Sequence, residues 1–258
     1  MCGIIGYVGR SESKPLLLKG LERLEYRGYD SAGIALLEEH GLEYVRAVGN
    51  LANLKVAAKD NESSATTGLG HTRWATHGLV TEANAHPLTA CEDSQLAIVL
   101  NGIVENYREL RSELMEDGHA FSSQTDAEVI AHLVEDAYEG DLLEAVRAAY
   151  VRLEGHFAFV VIHHAHPEQL VGVRHQCPLV IGFGDGENYL ASNLAAFLAQ
   201  TRRVQFPDDG DVVEITPDEV RIVRGDTGEP VEVEMLEVDW DDEAAERSGY
   251  ETFMLKEI

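Results

Sequence analysis

The amino-acid sequence predicts an α+β fold built mainly from antiparallel sheets. Short apolar segments of strand length occur near both ends of the chain, whereas segments with helical periodicity cluster between them. The chain has 258 residues, of which 45% are hydrophobic, so it can bury a sizeable core as one large domain or two small ones.

The first part of the chain predicts three strands and two helices. An apolar run at residues 4–8 indicates a buried strand, and residues 15–25 indicate a helix because four leucines recur on one face. Ser13 stands at a position suited to capping this helix. Two more strands are predicted over residues 32–37 and 43–48, and a short helix over residues 50–60.

The middle of the chain predicts one strand followed by three helices. The strand covers residues 96–100 and ends at the pair Asn101 and Gly102. The helices cover residues 107–116, 127–138 and 142–153. Thr125 and Glu128 have the spacing of a capping box at the start of the second of these helices.

The last part of the chain predicts mostly short strands. They are expected over residues 157–163, 169–174, 179–183, 189–191, 211–215, 220–223 and 231–238. A short helix is expected over residues 194–199, and the acidic stretch at residues 239–246 is typical of a surface segment or linker.

Charge and composition limit the possible partners and compartments. The formal net charge of −26, from 46 acidic and 20 basic residues, argues against nucleic acid or an anionic membrane as a partner. Neither a membrane span nor a secretion signal is predicted. The three cysteines do not suggest a disulfide framework, which fits a reduced cytoplasm. Such an excess of like charge indicates adaptation to a salty cytosol, with an ordinary acidic protein as the alternative.

Cys2 is the first candidate for a catalytic residue. Initiator methionine is usually removed before a small residue, and Cys2 would then carry both a thiol and a free α-amine. The pKa of such an amine is about 7.7–8.0, so part of it is neutral near pH 7 and can act as a base for the thiol. The alternative is a cysteine without catalytic meaning, and the other motifs in the chain bear on that choice.

Five further blocks carry most of the functional information. They are residues 23–33 (RLEYRGYDSAG), 71–78 (HTRWATHG), 84–87 (NAHP), 101–106 (NGIVEN) and 125–130 (TDAEVI). With Cys2 and Gly3, these blocks resemble the glutaminase domain of class II, or N-terminal nucleophile, glutamine amidotransferases. They are most similar to the glutamine–fructose-6-phosphate aminotransferase branch, and the resemblance extends over essentially the whole chain.

The resemblance implies a fold and a reaction. The fold is a four-layer αββα sandwich over residues 1–238, with two mainly antiparallel sheets between helical layers. In the reaction, Cys2 attacks the side-chain amide of L-glutamine, ammonia leaves, and water releases glutamate from a thioester. In that branch the ammonia serves glucosamine 6-phosphate synthesis in a sugar isomerase half, in a protein that can be a homodimer. Residues 239–258 would begin the linker to that half, which is absent here.

The resemblance also assigns roles to individual residues. The Asn101 side chain and the Gly102 N–H would stabilise the oxyanion that forms during amide cleavage. Arg73 would bind the α-carboxylate of glutamine, and Asp126 with the Gly102 carbonyl would bind the α-ammonium. The residues with supporting roles would be Thr76 and His77 as substrate contacts, Trp74 and His86 as residues that shape the site, and Arg27 as a support for the N-terminal strand.

Neither a cofactor nor a metal site is expected. His163, His164 and His166 lie close together, but a solvated loop explains them better than metal ligation, and Cys91 and Cys177 are expected to be structural. Two functional alternatives remain. One is the glutaminase part of another class II enzyme, such as an amidophosphoribosyltransferase or asparagine synthetase, and the other is a glutamine sensor without turnover.

Overall fold

The computed structural model describes residues 2–91 and 94–239, in which two antiparallel sheets pack face to face. The strands are β1 (Gly3–Val8), β2 (Ser31–Glu38), β3 (Gly41–Val48), β4 (Thr67–Arg73), β5 (Leu96–Val104), β6 (Gly155–His163), β7 (Leu170–His175), β8 (Val180–Phe183), β9 (Asn188–Ala191), β10 (Arg203–Gln205), β11 (Asp211–Ile215), β12 (Val220–Arg224), β13 (Pro230–Val231) and β14 (Leu236–Glu237). The first sheet has the strand order β14-β10-β8-β9-β1-β4-β2-β3, and the second has the order β13-β12-β11-β7-β6-β5.

Helices cover the outer faces of both sheets. They are α1 (Ser13–Leu24), α2 (Leu51–Ala57), α3 (Tyr107–Glu116), α4 (Glu128–Ala137) and α5 (Leu142–Tyr150), with short 3₁₀ turns at Glu25–Arg27 and Leu194–Ala196. Helices α1 and α2 pack on the first sheet, and α3 to α5 pack on the second. None of the helices in the described part of the chain is long and apolar enough to cross a membrane.

The alternation of side chains along each inner strand accounts for the layers. In β1, Ile5 and Tyr7 pack toward α1, whereas Ile4 and Val8 belong to the core between the sheets. This gives three apolar layers, one between the sheets and one beneath each helical layer. Leu21 of α1 is fully buried, so its truncation to alanine would cost about 2–5 kcal/mol. The α+β class and the mainly antiparallel sandwich predicted from the sequence are confirmed.

Two strands of the first sheet, β4 and β10, are not predicted from the sequence. β4 carries two glycines and three polar residues besides Arg73, so neither its composition nor its pattern indicates a strand, yet every one of its residues is buried. β10 has only three residues. The predicted strand over residues 231–238 is wrong, since this segment forms the two short strands β13 and β14 with irregular chain between them.

The second sheet corrects the predicted position of the Asn-Gly pair. β5 does not end before Asn101 but continues to Val104, with Asn101 paired to Ala158 and Gly102 to Phe157 of β6. The two residues therefore lie inside a hydrogen-bonded ladder rather than in a loop. Residues 240–258, which include most of the predicted linker, lie outside the described residues.

Both predicted helix caps are wrong. Ser13 is the first residue of α1, and its hydroxyl donates a hydrogen bond to the Ala65 carbonyl at 2.8 Å instead of capping the helix. The Glu128 carboxylate accepts from the N–H groups of Ser122 and Ser123 at 2.6 and 2.7 Å. Thr125 takes no part in that capping arrangement, because its hydroxyl is bonded to the Ser123 hydroxyl.

The histidine group near residue 163 is only partly a solvated loop. His163 is the last residue of β6 and is buried, with its ring stacked on Tyr138 at a centroid distance of 4.2 Å. The Tyr138 hydroxyl is also hydrogen-bonded to His166 Nε2 at 2.8 Å. The predicted solvation is therefore wrong for His163, whose ring contributes to packing, whereas its place at the end of a strand is as predicted.

Candidate active site

Strand alternation brings polar side chains together at one end of the space between the sheets. Ile4 of β1, Leu69 of β4 and Val99 of β5 all point into this space. Since side chains two or four positions apart share one face of a strand, the polar residues that follow the same faces are also directed there. These residues are Cys2, His71, Arg73 and Asn101.

Cys2 is held by contacts from three directions. Its Sγ accepts a hydrogen bond from the backbone N–H of Trp74 at 3.2 Å. Its carbonyl oxygen accepts from Arg27 Nε and from the Asn101 side-chain amide, each at 3.1 Å. Burial raises the pKa of the Cys2 thiol, against the lowering effects of the Trp74 N–H, Arg73 and Arg27. The thiol is thus protonated at neutral pH and needs a nearby base to become a nucleophile.

The Asn101–Gly102 pair has a conformation that requires glycine at its second position. Gly102 has a φ of +110°, and a Cβ there would meet the His156 carbonyl oxygen at 2.0 Å. This unusual backbone lies inside the ladder of β5 and β6, which fixes it. The pair therefore presents a preorganised amide side chain and a defined backbone beside Cys2, as stabilisation of an oxyanion requires.

Arg73 is a buried cation whose donors end on backbone carbonyls. It is only 3% exposed, and its guanidinium donates to the His77 carbonyl and, at 3.4 Å, to the Leu79 carbonyl. Burial lowers its pKa, while Cys2, Asp126 and Asp30 act in the opposite direction. Carbonyl oxygens are neutral acceptors, so a carboxylate would be a stronger hydrogen-bond partner for the Arg73 guanidinium.

Asp126 supplies a negative charge to the same cavity. One of its carboxylate oxygens accepts from the Val104 N–H at 2.9 Å, and the other lies 3.5 Å from His77 Nδ1. Burial raises the pKa of Asp126, against the lowering effects of the Val104 N–H, His77 and Arg73. A cationic ligand group beside this carboxylate would offset the cost of its burial.

Two buried imidazoles lie next to each other at the site, and one of them, His86, lines the cavity. His71 and His86 are buried with ring centroids 4.4 Å apart, and His71 Nε2 is within 2.9 Å of the Leu100 carbonyl. Burial lowers the pKa of His71 to about 3 and holds that of His86 well below its ordinary value, with further lowering from the cationic form of His71 and from Arg73. Neither ring can serve as a cation near neutral pH, so neither adds a positive charge to the site.

The predicted residues surround one small cavity. It is lined by Cys2, Arg73, Trp74, Thr76, His86, Leu100, Gly102, Thr125 and Asp126. Asn101 and His77 adjoin it through their contacts with Cys2 and Asp126, and Arg27 adjoins it through its hydrogen bond to the Cys2 carbonyl. Trp74 is half exposed, with its ring edge-on to Tyr29 at 5.6 Å.

A larger surface cavity lies elsewhere, against α1 and the segment that precedes β4, and contains none of the residues that line the small cavity.

Sequence reasoning misses the residues that hold the loop after β4. Asp30 accepts from the Ala75 N–H at 2.8 Å, and its own N–H donates to the Arg73 carbonyl at 3.0 Å. Asn84 and Gln124 are joined by two hydrogen bonds of 2.8 and 3.1 Å, and Asn84 also donates to the Leu79 carbonyl. Asp30, Asn84 and Gln124 lie within or next to the blocks noted above, which is the one signal that could have identified them.

Comparison with known proteins agrees with this geometry. A family model described as a glutamine amidotransferase domain matches residues 71–199. Glutamine–fructose-6-phosphate aminotransferase (isomerizing) from Aquifex aeolicus is 50% identical over 258 residues, which are all of this chain and 43% of that protein. The protein of the same name from a strain of Thermus thermophilus is 52% identical, over all of this chain and 42% of its own length. The chain thus spans about two fifths of the curated relatives it matches.

Solved structures define the class of fold. The Bacillus subtilis glutamine phosphoribosylpyrophosphate amidotransferase, solved with ADP and GMP, aligns with a TM-score of 0.75 at 22% identity, over 88% of this chain and 50% of that one. The allosteric regulatory enzyme of purine biosynthesis aligns over the same shares with a TM-score of 0.77 at 23% identity. The fold is that of the N-terminal nucleophile amidotransferases. The chain belongs to the glutamine amidotransferase domain family.

Proposed function

We propose that this chain hydrolyses the side-chain amide of L-glutamine to glutamate and ammonia. The proposal rests on the groups that are arranged around one cavity. They are a thiol, a side-chain amide positioned to donate a hydrogen bond to an oxyanion, and two opposite charges. These are Cys2, Asn101, and the pair Arg73 and Asp126. Free glutamine has an amide at one end and both charges at the other, so it matches this arrangement.

The chemical steps begin at the Cys2 thiol. After removal of Met1, the α-amine of Cys2 takes the thiol proton, and Sγ forms a bond to the amide carbon of glutamine. The oxyanion is stabilised by the Asn101 side-chain N–H and the Gly102 N–H. The amine returns the proton to the leaving nitrogen, the C–N bond breaks, and ammonia departs. Water then attacks the thioester through the same groups, which restores the thiol and releases glutamate.

The charged end of glutamine is bound by side chains that already face the cavity. The α-carboxylate replaces the backbone carbonyls as the partner of Arg73, which converts neutral contacts into a charge-assisted pair. The α-ammonium binds between Asp126 and the Gly102 carbonyl, with Thr76 and His77 beside them. Because the site binds both the α-carboxylate and the α-ammonium, an amide that carries only one of these two charged groups binds less well.

Three further residues act by positioning. Trp74 holds the Cys2 thiol through its N–H, and its exposed ring forms part of the loop that covers the cavity. Arg27 fixes the Cys2 carbonyl. The buried His86 carries no charge near neutral pH and lines the cavity.

The wider function is proposed from the relatives' names. We propose residues 1–238 as the glutaminase domain and residues 239–258 as the start of a linker to a sugar isomerase half. The ammonia would then serve the synthesis of glucosamine 6-phosphate from fructose 6-phosphate, in a homodimer of the full-length protein. A cytoplasmic location and salt adaptation belong to the same proposal, supported by the thiol chemistry and by the net charge of −26.

Glutamate release from the purified chain tests the core of the proposal. Cys2→Ala should reduce turnover to less than a few per cent of wild type while glutamine binding by calorimetry persists. Cys177→Ala is the matched control, because Cys177 is also partly buried and lies close enough to interact electrostatically with Cys2 and Arg27, yet it does not line the proposed substrate cavity. Intact mass reports whether Met1 is removed, since a retained Met1 would place the amine of Cys2 in a peptide bond.

The same preparation separates the alternatives. A glutamine sensor would bind glutamine without releasing glutamate at any salt concentration. With fructose 6-phosphate, chromatography should detect no hexosamine phosphate from the 258-residue chain alone. Addition of the isomerase half from a close relative should make hexosamine phosphate appear, whereas an amidophosphoribosyltransferase or asparagine synthetase assignment predicts no effect of that sugar.

A further inference from the structure

Four potential metal ligands from three separate segments meet outside the active site. Cys91 lies between β4 and β5, and His119 lies in the connection from α3 to α4. His132 and Glu135 are three residues apart on α4, which places them on the same face of the helix. One sulfur, two imidazole nitrogens and one carboxylate oxygen from these residues all lie within 4.8 Å of one another.

Four of the six distances within this group are close to the edges of a tetrahedron. Nδ1 of His119 and Nδ1 of His132 are 3.1 Å apart, and Cys91 Sγ lies 3.7 and 3.8 Å from them. Glu135 Oε2 lies 3.8 Å from His119 Nδ1. Bonds of about 2.0–2.3 Å from zinc to nitrogen, oxygen and sulfur give tetrahedral edges of roughly 3.3–3.7 Å. The two separations from Glu135 to Cys91 and His132 are within 4.8 Å, so a single ion would draw the Glu135 carboxylate inward by up to about an ångström and leave the other three ligands nearly in place.

The outward nitrogens of both imidazoles face carboxylates. His132 Nε2 lies 3.8 Å from Glu128 Oε1, and His119 Nε2 lies 3.9 Å from Asp136 Oδ1. A carboxylate on the second nitrogen is the usual support for a metal-bound histidine, because it fixes the tautomer that leaves the first nitrogen free to ligate. Both Nδ1 atoms face the same space, and a carboxylate stands at ion-pair distance from the other nitrogen of each ring, where it can support that ring once an ion is bound.

The residues around the group carry negative charge that a bound cation would balance. Glu128, Glu135 and Asp136 each lie within 4 Å of one of the two rings, and Glu128 and His132 are completely buried. His132 Nε2 has no hydrogen-bond partner at normal distance. A divalent ion would balance these carboxylates, and its binding would drive the proton from the Cys91 thiol into solvent.

We infer that Cys91, His119, His132 and Glu135 form a structural zinc site. Four protein ligands of mixed sulfur, nitrogen and oxygen type leave no open position for a substrate, so the ion would be structural rather than catalytic. It would join α4 to the connection before β5 and to the connection before α4. Those two connections carry His86 and Asp126, so the ion would stabilise the surroundings of the active site from outside it.

Cobalt titration of a single-thiol protein tests the site without any use of activity. Cys2→Ala with Cys177→Ser leaves Cys91 as the one thiol among the three cysteines of the chain. After removal of metal by a chelator, Co²⁺ should bind at one equivalent, with the thiolate charge-transfer band and the strong visible bands of tetrahedral cobalt. Zn²⁺ should displace it, and at about 100 times its Kd it should raise Tm by about 5–10 °C.

Matched variants distinguish this site from surface binding. In the same background, His119→Gln should abolish tight binding, and Glu128→Gln should weaken it by about 10- to 100-fold. His40→Gln changes an exposed histidine outside the group and should have no effect. Circular dichroism reports whether each variant is folded. The inference is overturned if saturating Co²⁺ produces no thiolate band, or if folded His119→Gln binds Co²⁺ as tightly as its parent.

Discussion

The side-chain amide of Asn101 lies 3.1 Å from the carbonyl oxygen of Cys2, although 99 residues separate the two in sequence. The contact joins the start of the first sheet to a strand of the second. It sets the distance between the proposed nucleophile and the proposed oxyanion donor before any substrate binds. Because the donor is already in place, little reorganisation would be needed during the reaction.

Asn101→Ala should lower kcat by about 10²–10³, the usual loss for one oxyanion donor. KM should change much less, because the interaction is made chiefly in the transition state. Steady-state glutamate release measures both constants. Asn53→Ala, at an exposed asparagine on α2, is the control and should leave both unchanged. An increase in KM alone would contradict the oxyanion role.

Asp126→Asn should weaken glutamine binding by on the order of 2–5 kcal/mol, since the α-ammonium would lose its counter-charge in a buried site. The asparagine oxygen can still accept from the Val104 N–H, so the local fold should persist. Calorimetric titration with glutamine measures the change, and Asp117→Asn at the exposed end of α3 is the control. An unaltered affinity would show that Asp126 serves only the start of α4.

Stability should decrease as the pH falls below about 6.5, in part because of His163. Burial, together with the neighbouring His166 and His164, lowers the pKa of His163 to about 4, whereas the unfolded chain binds that proton near pH 6.5. Between these values the unfolded state holds more protons, so each pH unit of acidification costs at most about 1.4 kcal/mol from this group.

His163→Asn should therefore flatten the pH dependence of unfolding across that window. Asparagine does not titrate, and its side-chain oxygen can still accept from the Ala165 N–H as His163 Nδ1 does. Urea unfolding at a series of pH values gives the slope for each protein. An equally steep slope in His163→Asn would refute the assignment.

Molar KCl should raise the melting temperature of the chain. The repulsion among 46 acidic residues against 20 basic ones is relieved by screening, whose length falls to about 3 Å at 1 M salt. Thermal unfolding at increasing KCl measures the effect. A melting temperature that stays constant or falls would favour an ordinary acidic protein over salt adaptation.

Much of the fold could be predicted because apolar periodicity reports burial directly. Helix α3 has the predicted bounds, and β11 does as well. β4 could not be predicted, because its inward positions hold His71 and Arg73 where a purely structural strand would hold apolar residues. The Asn101–Gly102 pair was also misleading, since Asn-Gly usually marks a turn, whereas here it lies inside β5.

The site could be predicted only through the resemblance of its motif blocks. Nothing in the local pattern says that β1, β4 and β5 meet at one end of the sandwich, so the residues alone do not place Cys2 beside Asn101. The group at Cys91 gave still less signal. Its four residues span 45 positions, and only the helical spacing of His132 and Glu135 is a recognisable pattern.

Because Asn101 lies within a strand, insertions and deletions in the preceding part of that strand should not be tolerated. Because neighbouring residues of β5 face opposite layers, insertion or deletion of one codon before Asn101 would turn its amide toward the helices and bring an apolar side chain to Cys2. Such a protein could keep its hydrophobic layers nearly intact and still lose the reaction. Length variation among active relatives should therefore collect in the connections and spare the segment from Leu96 to Gly102.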